Sequence, residues 1–286
     1  MNEYSTCADI KLEPILPQAF SLLNEDTNTR IQDIDLSHNL SIPYTATTPN
    51  LLARFIFIKK DETLTISSNA TSHLFYVIDG AGWSEDFEFG KGDIFVQCGE
   101  IKLKSITDTK IYSVNDEPLL NFLGVSPNEK KFHPTLFKKN DLYQKLNEII
   151  HTTNHETSNR LGILLSNRHT ESNTRTITHT LWCLLNYIPA GRKQPPHRHN
   201  SVALDLCVSG GSDKVYTLMG LELGDDGWIK NPTKVYWKND GMFITPPGWW
   251  HSHHNESNED AIVLPIQDAG LYTYQRTLDI QFSKIK

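Results

Sequence analysis

Short apolar runs cut off by turn residues dominate this chain, and that punctuation restricts it to an all-β architecture. Residues 53–58, 73–78, 93–97 and 110–114 are rich in β-branched and aromatic side chains. The turn signals Asp79-Gly80, Gly90-Lys91-Gly92 and Asn115-Asp116 bound them. The second half repeats the habit at 176–185, 202–208, 214–219, 234–237, 242–245 and 261–266. Strands that follow one another in this way predict a sandwich or barrel rather than βαβ units. A helical period interrupts them once. Leu142, Leu146, Ile149 and Ile150 share one face behind Asn140-Asp141, which can cap a helix, and the polar run 151–159 follows. The expected layout is an N-terminal β-unit over 1–140, a helical connector over 141–160 and a C-terminal β-unit over 161–286.

Composition narrows the partners. Among 286 residues, 38% are hydrophobic and 21% charged, enough apolar material for a packed core. Acidic residues outnumber basic ones 34 to 27, the wrong balance for tracking phosphates, so nucleic acid is not expected as a partner. No run approaches the ~18 consecutive apolar residues of a membrane span, and no basic segment followed by an apolar one marks a secretory signal. Cys7, Cys98, Cys183 and Cys207 are scattered without a CxxC pair, as free thiols in a reducing compartment would be. A cytoplasmic protein is expected.

Five of the 12 histidines lie between His197 and His254. On a strand, residues i and i+2 face the same way, so His197 and His199 can aim two imidazoles at one point. His251 on a neighbouring strand would complete a facial trio. Neutral imidazole suits Fe(II), Ni(II), Cu(II) and Zn(II), and three protein ligands leave positions free for substrate or dioxygen. His253 shares the strand face of His251 and is either an acid–base group near the substrate or an exposed loop residue. Arg192 and Arg276 are candidates to pair a substrate carboxylate, with Tyr272 close to the latter. Trp249 is a candidate rim residue.

Two patterns, Gly191-x5-His197-x-His199-x11-Gly211 and Asp240-Gly241-x4-Pro246-x-Gly248-x2-His251-x3-Asn255, resemble the two motifs of the cupin superfamily. The resemblance implies a bicupin: two jelly-roll β-barrels, with the metal inside the second. Many cupins carry a glutamate ligand four or five residues after the second histidine, whereas here Ala203 and Leu204 stand there and Asp205 lies on the face opposite Leu204. A three-histidine site similar to that of gentisate 1,2-dioxygenase-like bicupins is implied, with Fe(II) as the expected metal and Ni(II), Zn(II), Cu(II) or Mn(II) as alternatives. The run Leu264-Pro265-Ile266-Gln267-Asp268 looks like the place of that family's pocket aspartate, which suggests Asp268 and Gln267 as site residues. Ser201 stands where the family tends to have a pocket glutamine. In the first half, Ile66, Ser68, His73 and Leu103 fall at the ligand positions, so that unit is expected to be metal-free.

The function this implies is non-haem dioxygenase cleavage of a C–C bond in a small hydroxy-aromatic acid or diketone. Dioxygen would be co-substrate, and Asp268 or His253 would manage the substrate's hydroxyl proton. A metal-dependent isomerase or hydrolase of a small acid, or a non-catalytic small-molecule-binding bicupin, are the alternatives. Homodimer or higher homo-oligomer assembly is expected.

Overall fold

The expected strands form within one or two residues of their sequence limits in most cases, because nearly all are apolar on the face the fold buries. The computed structural model describes residues 3–21, 28–153, 159–170 and 172–285. Among these, the strands form four antiparallel sheets, two in each half. The first half pairs a six-stranded sheet centred on His73–Asp79 and Thr109–Asn115 with a four-stranded sheet that includes Thr63–Ile66 and Ile101–Ser105. The second half pairs a six-stranded sheet centred on Ala203–Ser209 and Ala261–Gln267 with a five-stranded one. The latter includes Val215–Gly220, Trp250–Asn255, His197–His199 and Ile280–Phe282.

The central strands are apolar without alternation because both their faces are buried. Phe75 and Val77 point into the first sandwich with Phe89, Phe95 and Ile111. Their neighbours Leu74, Tyr76 and Ile78 join Leu204, Leu206, Leu264 and Ile266 in a layer shared by the two six-stranded sheets, which pack back to back. Cys207, Met219, Trp237 and Val263 fill the second sandwich.

The halves are built alike, down to the register. His73 stands opposite Asn115 and Gln97; Ala203 stands opposite Gln267 and Thr245 in the same arrangement. Each central pair is followed by a short helix, Glu117–Leu123 or Ala269–Gln275, that ends on a left-handed residue, Gly124 or Arg276. A buried aspartate precedes each helix. Asp116 accepts from the Ser72 N–H at 3.0 Å and from the Thr180 hydroxyl of the other half at 3.0 Å. Asp268 accepts from the Val202 N–H at 3.0 Å and from the Asn50 amide of the other half at 2.7 Å.

Three expectations are corrected. Residues 176–181 are not strand: the N–H groups of Ile177 and Thr178 donate to the Leu181 carbonyl, and Thr178 Oγ1 accepts from the Leu181 N–H at 3.0 Å. Threonine favours strands, but its hydroxyl also offers the backbone a turn, and here the turn wins. The strand begins at Trp182. The connecting helix spans Lys139–Thr152 without a cap from Asn140 or Asp141; its first N–H, that of Lys139, donates to Asp93 at 2.8 Å. Residues 154–158 of the expected polar run lie outside the described residues. Finally, a division at residue 140 does not follow the strand pairing throughout. Ala19–Phe20, inside the expected N-terminal unit, pairs with Met242–Phe243 of the second, whereas Thr135–Phe137 pairs with Ile94–Gln97 within the first.

The shared layer makes a direct prediction. Leu206 is fully buried there, so Leu206→Ala should cost about 2–5 kcal/mol. A urea titration followed by circular dichroism should show the midpoint falling, whereas Leu221→Ala, at an exposed position, should leave it within about 0.5 kcal/mol.

Candidate metal centre

Period two on one short strand aims His197 and His199 to the same side, while Arg198 between them turns outward and lies 5.1 Å over the Trp250 ring. Antiparallel pairing sets His251 directly across from His197. Ring centroids are 4.0 Å apart for His197 and His251, 4.9 Å for His199 and His251, and 5.6 Å for His197 and His199. One ring nitrogen from each lies within 4.8 Å of the other two. That spacing suits one metal ion shared by three imidazoles.

Hydrogen bonds fix the imidazoles. Nδ1 of His199 lies 2.9 Å from the Ser201 carbonyl and Nδ1 of His251 lies 3.1 Å from the Trp249 carbonyl. A carbonyl only accepts, so each Nδ1 carries the proton and each Nε2 keeps its lone pair. His197 Nδ1 instead accepts from the Arg160 guanidinium, which leaves the ring proton on Nε2; to ligate a metal through either nitrogen, His197 must release Arg160. Burial pushes the pKa of all three below the usual range, that of His199 to about 4. For His197, the nearby Arg160 cation adds to the effect. The rings are thus uncharged at neutral pH, the state a metal requires.

A cavity of about 190 Å³ opens over the trio. His253 and Gln267 line it, as do Arg160, Trp182, Asn186 and Asp205, which the sequence motifs did not mark as site residues. His253 is buried and bonds through Nδ1 to Thr217 Oγ1 at 2.8 Å; Trp237 donates to that same oxygen at 2.8 Å. Gln267 Oε1 accepts from the Ser201 hydroxyl at 2.8 Å, so Ser201 buttresses the wall from behind. Arg160 is the guanidinium of the cavity wall, held by the carbonyls of Asn159 and Pro195, and burial lowers its pKa to about 9. Ile280 and Phe282 of the C-terminal strand form one side, with Phe282 stacked on His197 at 5.8 Å.

The remaining candidates lie elsewhere. The Asp268 carboxylate is turned from the cavity to Val202 and Asn50, with its pKa raised to about 6 by burial. Its register equivalent Asp116 is held in the same way in the half where Ile66, not histidine, stands at the position of His197. Arg192 is exposed, and Arg276 is exposed beside Tyr274 at 5.4 Å. Trp249 packs against the interior of the second sandwich and serves His251 through its carbonyl. Tyr272 is half-buried, and burial followed by Asp268 raises its pKa to about 12. In the first half, Ile101 rather than Leu103 faces Ile66, as His251 faces His197.

No family model matches the chain. Among curated proteins, a stretch of 91 residues is 26% identical to the 5-aminosalicylate 1,2-dioxygenase of a Comamonas species, covering 32% of this chain and 21% of that one. A stretch of 96 residues is 29% identical to the gentisate 1,2-dioxygenase of a Haloferax species, covering 33% and 23%. The matches thus span about a fifth of those relatives' length. Among solved structures, the salicylate 1,2-dioxygenase of Pseudaminobacter salicylatoxidans superposes with a TM-score of 0.73 at 12% identity, over 96% of this chain and 89% of that one. A mutant of that enzyme in complex with gentisate gives 0.72 at 12% identity, over 98% and 89%. A deletion mutant of the Bacillus subtilis oxalate decarboxylase gives 0.58 at 12% identity, over 91% and 78%. These likenesses establish the fold as that of a bicupin, two jelly-roll units in one chain.

The depressed imidazole pKa values fix a pH dependence. Below about 6.5 the unfolded chain takes up protons that the folded histidines refuse, so stability falls as pH drops toward 4. Asp205 and Asp268, whose pKa values are raised, act in the opposite sense. In metal-free protein, His199→Gln should lose about 2 kcal/mol less than the parent between pH 7 and pH 5, as read by urea unfolding at each pH.

Proposed function

We propose that this chain is a non-haem metal-dependent dioxygenase that cleaves a C–C bond of a small hydroxy-aromatic acid. The observation that carries this is the joint presence, in one cavity, of three uncharged imidazoles at ligand spacing and a buried guanidinium beside them. The donor set fits Fe(II): the lone pairs of His199 and His251 are oriented by carbonyl partners, and the cavity side is open. His197, His199 and His251 would hold the ion, and when bound it supplies the redox chemistry that joins dioxygen to an electron-rich ring.

The protein's own groups do the rest. Arg160 meets the substrate carboxylate with charge-assisted hydrogen bonds and so fixes which ring edge faces the trio. His253, uncharged and hydrogen-bonded through Nδ1 to Thr217, stands in the cavity wall as the group that manages the hydroxyl proton of the acid. The side chains of Ile280, Phe282 and Trp182 give the cavity an apolar lining for the ring. The cavity, at about 190 Å³, is smaller than the ~300 Å³ at which pockets for drug-sized ligands begin, which favours a single-ring acid.

Elemental analysis of protein purified without added metal should find iron near one ion per chain, lost in His197→Ala/His251→Ala. The iron-loaded parent should consume oxygen with gentisate, salicylate or 5-aminosalicylate. Metal bound without oxygen uptake across a broad panel of hydroxybenzoates would overturn the dioxygenase, and zinc in place of iron would favour a Lewis-acid isomerase or hydrolase. Arg160→Ala should raise KM for the aromatic acid roughly 10- to 100-fold in steady-state kinetics, the worth of hydrogen bonds to a charged group.

A further inference from the structure

Asp205 is an ionisable group in the cavity that neither holds the trio nor pairs with Arg160. It sits on the central strand of the six-stranded sheet, opposite Phe243 and Pro265, one layer deeper than Ala203 and Gln267. The Thr245 hydroxyl donates to Oδ2 at 2.6 Å, and among the described residues no donor meets Oδ1. Burial raises its pKa to about 7, with the Thr245 hydrogen bond opposing the shift.

The fold does not need a carboxyl here. The register equivalent in the first half is Phe75, buried and stacked on Phe95 at 4.7 Å. An apolar side chain therefore fills this place in the same architecture. A buried carboxyl with one oxygen left over is costly unless a ligand completes it.

We propose that Asp205 selects the substrate, by accepting a hydrogen bond from an N–H or O–H donor carried on the aromatic ring away from its carboxylate. This rests on the aromatic-acid reading of the same site. Arg160 and Asp205 then recognise the two ends of one small acid: the guanidinium takes the carboxylate, and Oδ1 takes the ring donor. An acid that lacks the remote donor leaves Oδ1 desolvated and unpaired, which is where discrimination arises.

The test compares salicylate, which has no donor remote from its carboxylate, with 5-aminosalicylate, which has one. Dissociation constants are measured by calorimetry on the anaerobic iron-loaded protein, so that binding is read without turnover. The parent should bind 5-aminosalicylate at least about tenfold more tightly than salicylate. Asp205→Leu should abolish that preference, mainly by weakening 5-aminosalicylate. Asp205→Asn, which keeps an acceptor oxygen and its Thr245 partner, guards against a folding defect and should retain part of the preference. Equal binding of both acids by the parent, or an undiminished preference in Asp205→Leu protein with a parental circular dichroism spectrum, overturns the role of Asp205 alone. Binding of neither acid by metal-replete parent overturns the aromatic-acid reading itself.

Discussion

The apolar layer between the two six-stranded sheets is the constraint on which the other features depend. Each sheet has a sandwich interior on one side and the partner sheet on the other, so its central strands are removed from water on both faces. A strand buried on both faces has little freedom to slip, because a shift of one residue would exchange the sandwich interior with the shared layer. Register fixed in this way carries through Ala203–Ser209 and Ala261–Gln267 to the cavity wall. It decides that Ala203, Asp205 and Gln267 face the cavity while Leu204 and Leu206 face the other half.

The cavity chemistry follows from the same dryness. Imidazoles shielded from water stay uncharged, and carbonyl partners from Ser201 and Trp249 decide which nitrogen presents a lone pair. The enclosed cation and the enclosed carboxyl interact strongly with whatever enters, since little solvent screens them. Geometry near His199 and His251 is therefore held by backbone atoms two residues away from each ring, a short lever with few ways to relax.

Much of this was legible in the sequence. His197, His199 and His251 could be grouped because strand alternation and turn residues on either side fix their direction. In the first half Ile66 was placed correctly, whereas the position facing it was read as Leu103 and is Ile101, because turn spacing alone does not fix register. Alternation set Asp205 on the face opposite Leu204, which left it out of the expected site; only the register shows that this face is the cavity. Arg160 carried no signal: it ends a polar run and reaches His197 across the fold, a meeting set by tertiary packing. Asp268 pointed the other way. Its position after a buried strand suits a pocket residue, yet the same position in the other half, Asp116, serves a joint between units. Residues 176–181 looked like strand because threonine propensity is blind to whether its hydroxyl will take a backbone N–H.

That joint has a further meaning. Thr180 of the second half completes Asp116 of the first, Asn50 of the first completes Asp268 of the second, and Ala19–Phe20 of the first half pairs with the Met242–Phe243 edge of the second. The two halves thus complete one another's buried aspartates, and neither carries all the donors that its own aspartate uses. A gene fragment encoding the histidine-bearing half alone would leave the aspartate clasp and the Met242–Phe243 edge without their donors. Recombination can therefore neither discard nor graft the ligand-free half on its own. The half with Ile66 and Ile101 at the ligand positions is the scaffold that the other half requires.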